Sequence, residues 1–200
     1  MKLLYSTTSP FVRKVRIFLQ ISELAADVEY ELINPFEDKK LRKSNPLNKI
    51  PVLQDGNLTL IESNLICEYL DEKYLKKNNH SLFHRNEPDY YNVQLALMQA
   101  NGITDAAVAS LLEKRRTDAE QSAHWLNRWY QAIRCSVENF DCGYAGSSGQ
   151  PNIATISMAC ALGYLDFRFD EFGWRDWNSE LTTWFTEIEN QDWFLATAPE

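Results

Sequence analysis

Three short segments carry residue types able to hold a small charged molecule: Ser9-Pro10, Lys49-Ile50-Pro51 and Glu62-Ser63. Ser9 follows a strand-like run from Lys2 to Ser6 and precedes Pro10, which suits a first helical position because its missing N–H has no intrahelical partner there. A serine at such a turn sets its hydroxyl beside the unpaired N–H groups that open a helix, where negative charge is favoured. A thiolate is one such charge. Lowering a thiol from about 8.5 by roughly two units takes about 2.7 kcal/mol of preferential thiolate stabilisation, within reach of one charge-assisted hydrogen bond plus a helix start. The same serine serves equally as a plain N-cap, and local sequence leaves both roles open. Tyr5, on the preceding strand, is a rival hydroxyl for the same task.

Glu62-Ser63 precedes a run in which Leu65, Ile66, Tyr69, Leu70 and Tyr74 recur at helical spacing. Ser63 is therefore expected to cap a helix and to offer its hydroxyl and backbone N–H to a carboxylate at the positive helix end, while Glu62 can pair with an ammonium. A cap alone accounts for Ser63 and leaves Glu62 without a role. Pro51 opens a strand where an X-Pro bond can be cis, turning the preceding backbone groups outward from the sheet. Lys49 stands beside it, either to meet a carboxylate or as a solvated loop lysine.

The elements that must position these segments follow from periodicity. Lys2 to Ser6 reads as a strand, Pro10 onward as a helix through Phe11, Val15, Phe18 and Leu19, and Val28, Tyr30 and Leu32 as a second strand with one wetter face. After a polar stretch from Pro35 to Asn48, strands at Ile50–Leu53 and Leu58–Leu60 flank the turn signal Gln54-Asp55-Gly56-Asn57. Beyond the polar residues Lys76 to Asn79 only helical patterns remain. Pro88 opens one to about Arg116; Asp118 opens another with Trp125, Trp129, Ile133 and Val137 on one stripe; Asn152 caps a third, largely apolar helix; Leu181, Trp184, Phe185 and Ile188 mark a last one.

Composition narrows the function classes. A formal net charge of −8 argues against a phosphate-backbone binder, because such affinity rests on clustered Lys and Arg. Lys114-Arg115-Arg116 reads as a solvated helix end. Pro10, Arg13, Lys14 and Arg16 interrupt any apolar signal core, and no stretch approaches 18 uninterrupted apolar residues, so the expectation is a soluble, cytoplasmic protein with no membrane or nucleic-acid partner. Cys67, Cys135, Cys142 and Cys160 show no C-x-x-C spacing, and His80, His84 and His124 show no paired metal-ligand spacing, so no metal site is expected.

The stretches Ser9-Pro10-Phe11-Val12-Arg13-Lys14-Val15-Arg16-Ile17, Asn45-Pro46-Leu47-Asn48-Lys49-Ile50-Pro51-Val52-Leu53 and Ile61-Glu62-Ser63-Asn64-Leu65-Ile66, in this order and spacing, resemble the glutathione S-transferase family. Asn152-Ile153-Ala154-Thr155 leading to Gly163-Tyr164-Leu165-Asp166-Phe167-Arg168 is similar to the C-terminal domain of its bacterial members. The resemblance implies an α/β plus all-α chain, with a thioredoxin-like βαβ-ββα domain over residues 1–77 and a C-terminal helical bundle domain over 88–200. It implies Ser9 as the thiolate hydrogen-bond donor, a cis Ile50–Pro51 bond whose Ile50 backbone pairs with the cysteinyl unit of glutathione, Lys49 on a glutathione carboxylate, and Glu62 with Ser63 on the γ-glutamyl end. It further implies a small hydrophobic electrophile bound between the domains near Asn101, Thr104, Asp105 and Val108, a homodimer, and glutathione as co-substrate with no other cofactor. Glutathione-dependent disulfide or peroxide reduction, and a non-catalytic interaction module of the same fold, are the alternatives. With no cysteine before Cys67, members that work through a cysteine at the first helix match poorly. Asn48 stands where the family usually has Gly and Thr155 where many members have Asp; Asn tolerates the left-handed backbone, and Thr can still bond as a cap partner.

Overall fold

A computed structural model describes residues 1–200. They form two compact units, one of Met1–Arg85 with Asp192–Glu200, the other of Asn86–Gln191.

In the first unit, strands β1 (Lys2–Tyr5), β2 (Glu29–Leu32), β3 (Val52–Asp55) and β4 (Leu58–Ile61) make one sheet in the order β2-β1-β3-β4. β1 and β2 are parallel and joined through helix α1 (Pro10–Ile21), while β3 pairs antiparallel with both β1 and β4. Gly56, at φ +57°, supplies the left-handed residue of the β3–β4 turn. Helices α2 (Leu41–Ser44) and α3 (Ser63–Asn78) complete the βαβ-ββα order. α1 buries Val12, Val15, Ile17, Phe18 and Leu19, an amphipathic face at helical spacing. β2 is exposed at all four residues, being an edge strand, so its expected drier face does not materialise; Lys2 ties it down by ion pairs to Glu29 (3.1 Å) and Glu31 (2.9 Å).

Two segments assigned by sequence to a linker and to the helical region dock on this unit. Asp71, fully buried, accepts hydrogen bonds from the Ser81 hydroxyl, the Leu82 N–H (2.8 Å) and Arg85 Nε (3.3 Å), fixing residues 81–85. Arg13, only 7% exposed, donates to the Phe194 carbonyl (3.1 Å) and Thr197 Oγ1 (3.4 Å), and its guanidinium lies 3.8 Å from the Phe194 ring centroid. The sequence-based range 88–200 thus carries nine residues too many for the second unit. A buried guanidinium demands partners, and α8 (Asp192–Leu195) with Thr197 just beyond it supplies them.

The second unit contains α4 (Tyr90–Lys114), α5 (Ala123–Glu138), α6 (Ile153–Arg168) and α7 (Ser179–Glu189). Every residue of α6 from Ile153 to Leu165 is buried, and α4 packs on both α5 and α6. The start of α6 is doubly secured. Asn152 Oδ1 accepts from the N–H groups of Ala154 (2.9 Å) and Thr155 (3.0 Å), and the Asn152 N–H donates to Thr155 Oγ1 (2.9 Å), a capping box in which threonine fills the acidic residue's place. α4 is the one helix long and apolar enough by composition to cross a membrane; Val93, Leu97, Ala100, Ile103 and Ala107 on it are buried, as in the core helix of a globular unit. Asp118 opens only a single 3₁₀ turn, and α5 begins at Ala123, capped by Ser122. Of its expected stripe, Ile133 and Val137 are buried, whereas Trp125 is exposed and stacked on Trp129 at 5.7 Å.

Candidate functional site

The sheet register decides where the three segments stand. Val52 pairs with Leu4 on one side and with Ile61 on the other, so these three residues form one row across β1, β3 and β4. Ser9 follows the end of β1, Ile50–Pro51 precedes the start of β3, and Glu62-Ser63 follows the end of β4. All three therefore lie at the same end of the sheet, on adjacent strands. At about 4.8 Å per strand the row spans about 10 Å, the reach of three extended residues. One apolar cluster of Leu4, Val12, Ile33, Leu41, Ile50 and Val52, with Tyr5 and Ile61 packed against it, holds the flanks of all three segments together.

Ser9 is the N-cap of α1: its Oγ accepts from the Val12 N–H at 3.3 Å. A hydroxyl that accepts one bond still has its own proton to donate, so capping and thiolate stabilisation are compatible in one residue. Tyr5 is held edge-on to Tyr30, with centroids 5.7 Å apart, and the Arg16 guanidinium is 5.8 Å from its ring. Its aromatic body serves the β2 side of the sheet.

Glu62 corrects one expectation. Ser63 is not the cap of α3 but its first residue, almost fully buried, and the cap is Glu62. The Glu62 carboxylate accepts from the Asn64 N–H (3.0 and 3.1 Å), the Leu65 N–H (3.2 Å) and the Ser63 hydroxyl (3.2 Å). A carboxylate at a positive helix end is favoured. Its backbone, at φ +76°, is left-handed in a non-glycine residue, a conformation costing about 1–3 kcal/mol that clusters at ligand-binding positions.

The Ile50–Pro51 bond is cis. The ladder's last pair is Leu4 with Val52, so the N–H and C=O of Ile50 lie beyond the sheet's own pairing. Asn48 takes φ +55°, the left-handed conformation expected of it, and donates from Nδ2 to the Pro35 carbonyl at 2.8 Å. Lys49 is exposed, and its carbonyl accepts from Asn45 Nδ2 at 2.7 Å. Asn45, missed as a shaping residue, is 2% exposed and also accepts from the Leu47 N–H at 3.0 Å; the Asn-Pro pair at 45–46 was its available signal. A second unforeseen pair is Lys14 with Asn64: Nζ donates to Oδ1 at 2.9 Å, linking α1 to the first turn of α3.

The remaining candidates lie on α4 at helical spacing: Asn101, Thr104, Asp105 and Val108. Thr104 is buried and returns its hydroxyl to the Ala100 carbonyl at 3.1 Å, Asp105 is exposed, and Asn101 and Val108 are half-buried.

Comparison with known proteins adds to this geometry. Residues 3–78 match the model of the glutathione S-transferase N-terminal domain. The whole chain is 33% identical over 208 residues to the uncharacterised GST-like protein YibF of Escherichia coli K12, covering 98% of that protein. The chain belongs to the glutathione S-transferase family. Within it, a transferase family member of Pseudomonas fluorescens Pf-5, solved with bound glutathione, superposes on this transferase-family chain with a TM-score of 0.91 at 31% identity, covering 100% of this chain and 98% of that one. The same organism's protein is also solved with S-(propanoic acid)-glutathione (TM-score 0.88, 30% identity, full coverage of both chains). A stringent starvation protein A homolog of Pasteurella multocida is 31% identical over 156 residues, 68% of this chain and 71% of that protein.

Proposed function

We propose that this chain is a glutathione transferase that lays glutathione across the end of its sheet and uses the sulfur as a nucleophile. The observation carrying the reading is the Leu4–Val52–Ile61 row, which supports three contacts about one strand spacing apart for the three parts of one tripeptide. The Glu62 carboxylate takes the γ-glutamyl ammonium, and Ser63 turns its hydroxyl from Glu62 Oε1 to the neighbouring carboxylate; Ile50 pairs its backbone with the cysteinyl unit beside Pro51; Lys49 meets a terminal carboxylate; Ser9 donates to the sulfur. The thiol proton leaves to solvent. The thiolate then forms a C–S bond to an electrophilic carbon while that carbon's leaving group departs with its electron pair, or an adjacent unsaturated centre takes up a proton. A small hydrophobic electrophile contacts the Asn101, Thr104, Asp105 and Val108 face of α4. The chemistry needs no metal and no redox cofactor. A cytoplasmic homodimer is the assembly that goes with this reading.

The match to a stringent starvation protein A homolog, whose name carries no transferase activity, leaves room for a second reading, an interaction module of this fold without catalysis. The Glu62-Ser63 pair speaks for the enzyme, because a scaffold has no need of an acid held at φ +76° before a helix. Calorimetry with glutathione separates them: the transferase binds it, and Glu62→Ala and Ser63→Ala weaken binding. No heat at millimolar glutathione ends the catalytic reading. For a binding-competent protein, an aryl halide, a small disulfide and an organic hydroperoxide tested side by side divide conjugation from glutathione-dependent reduction.

A further inference from the structure

Lys14 is 3% exposed, and a buried ammonium is costly to desolvate. It stands on α1 five residues after Ser9, and helical side chains lean toward their own N-terminus, so its stem runs back toward the turn that Ser9 caps. Its Nζ meets Asn64 Oδ1 at 2.9 Å, on the second residue of α3. A cation beside a helix start opposes the macrodipole. Apolar contacts alone would join α1 to α3 without burying a charge. An acid stands on the same turn: the Asn64 N–H donates to both Glu62 oxygens, so one asparagine touches the ammonium by its side chain and the acid by its backbone.

We propose that Lys14 is a positioning residue for glutathione, acting through Asn64 to hold the Glu62-Ser63 turn in register with Ser9. The assignment rests on the glutathione reading above and deepens it: Lys14 touches no reacting atom in this scheme, and its charge favours the anionic ends of the ligand that arrive at the two helix starts. S-methylglutathione is the suitable probe, because its sulfur cannot ionise and binding then reports the positioning of the tripeptide apart from thiolate chemistry.

The test is a double-mutant cycle read by calorimetry at a temperature well below unfolding, with thermal unfolding recorded for every variant. Lys14→Met keeps the volume and removes the charge; Asn64→Ala, at a half-buried side chain, removes the acceptor with little risk to folding. Each is expected to weaken S-methylglutathione about tenfold, the scale of one charge-assisted hydrogen bond, with the double variant no worse than the weaker single one. A merely structural role lowers the unfolding temperature and leaves the affinity of the folded protein unchanged. Wild-type binding together with unaffected or strictly additive variants overturns the assignment alone. A wild-type chain that binds neither glutathione nor S-methylglutathione overturns it together with the reading beneath it. If Lys14→Met fails to fold, undiminished affinity in Asn64→Ala is by itself sufficient to overturn it.

Discussion

Ser9→Ala is the perturbation that divides capping from thiolate stabilisation, because the two roles use different atoms of one hydroxyl. As acceptor, Oγ takes the Val12 N–H at 3.3 Å, a bond at the long end of the useful range whose loss costs about 1 kcal/mol of stability. In the donor role proposed for it, the hydroxyl proton would meet the sulfur, and a hydrogen bond to a charged partner contributes about 1.5–3 kcal/mol. At 1.36 kcal/mol per unit, losing it raises the pKa of bound glutathione by about one to two units, while the helix start, about 0.3–1 kcal/mol, remains. The sign follows from linkage. A thiol depressed in the complex makes binding tighten as pH rises from the bound to the free pKa, so the variant should show a shorter rise and equal affinity at a pH low enough to protonate both. The assay is a thiolate absorbance titration of the complex, with Tyr5→Phe alongside. An unchanged titration in Ser9→Ala refutes the donor role, and a shift in Tyr5→Phe instead moves it to the tyrosine.

Three further outcomes rest on geometry elsewhere. Asn152→Ala removes the acceptor of two buried N–H groups and the donor to the Tyr144 carbonyl (3.0 Å), and should cost about 3 kcal/mol in denaturant unfolding; a loss below about 1 kcal/mol would show that α6 caps itself. The Tyr69 hydroxyl and Lys73 ammonium hold the Asp55 carboxyl below its ordinary 3.8, so its contribution is present above that value and lost as pH falls through the lower folded one. Asp55 is partly exposed, which keeps that contribution under about 1 kcal/mol, and Asp55→Asn should destabilise at neutral pH by an amount that shrinks as pH falls through the lowered pKa; a difference that does not change with pH across acid thermal melts rejects the ion-pair account. Towards an alkylating reagent, exposed Cys135 should react first, Cys142 slowly because burial pushes its thiol up to about 11, and Cys67 and Cys160 only on unfolding; mass spectrometry that finds Cys142 labelled ahead of Cys135 contradicts this order.

What sequence made legible was periodic or punctuated. α1 is announced by Ser9-Pro10 and a clean apolar face, α6 by Asn152 and its apolar run, and the β3–β4 turn by Gly56, since each rests on local rules that tertiary context does not override. The unread features depend on partners remote in sequence. α2 is four residues long and buries Leu41 alone, too little for a pattern. The docking of Phe194 and Thr197 is visible only once Arg13, some 180 positions away, is known to be buried. Lys14 has the same history: on a helical pattern it reads as a polar-face lysine, and only the packing of α1 beside α3 shows its charge turned inward. At the site, the residue types were legible and their division of labour was not. Glu62 takes the cap from Ser63 through a left-handed backbone that no propensity predicts for glutamate.

The charge arrangement bears on what the site selects. The chain as a whole carries −8, so a small anion gains nothing from its overall field and must be drawn by something local. Two helix starts and the Lys14 ammonium make the end of the sheet locally positive, and Glu62 sets a single negative group into that region, its oxygens already engaged by N–H groups of its own helix. A plain dianion meets the positive groups but is repelled by Glu62, and a plain cation meets Glu62 against two helix dipoles and a buried lysine. A ligand with an ammonium and a carboxylate on one carbon, followed at about 10 Å by an ionisable sulfur, satisfies both signs in order along the Leu4–Val52–Ile61 row. Selectivity of this kind lies in the sequence of charges along the sheet end, so moving Glu62 and Ser63 apart, or loosening Asn64 between them and Lys14, should degrade recognition even where every charged group is kept.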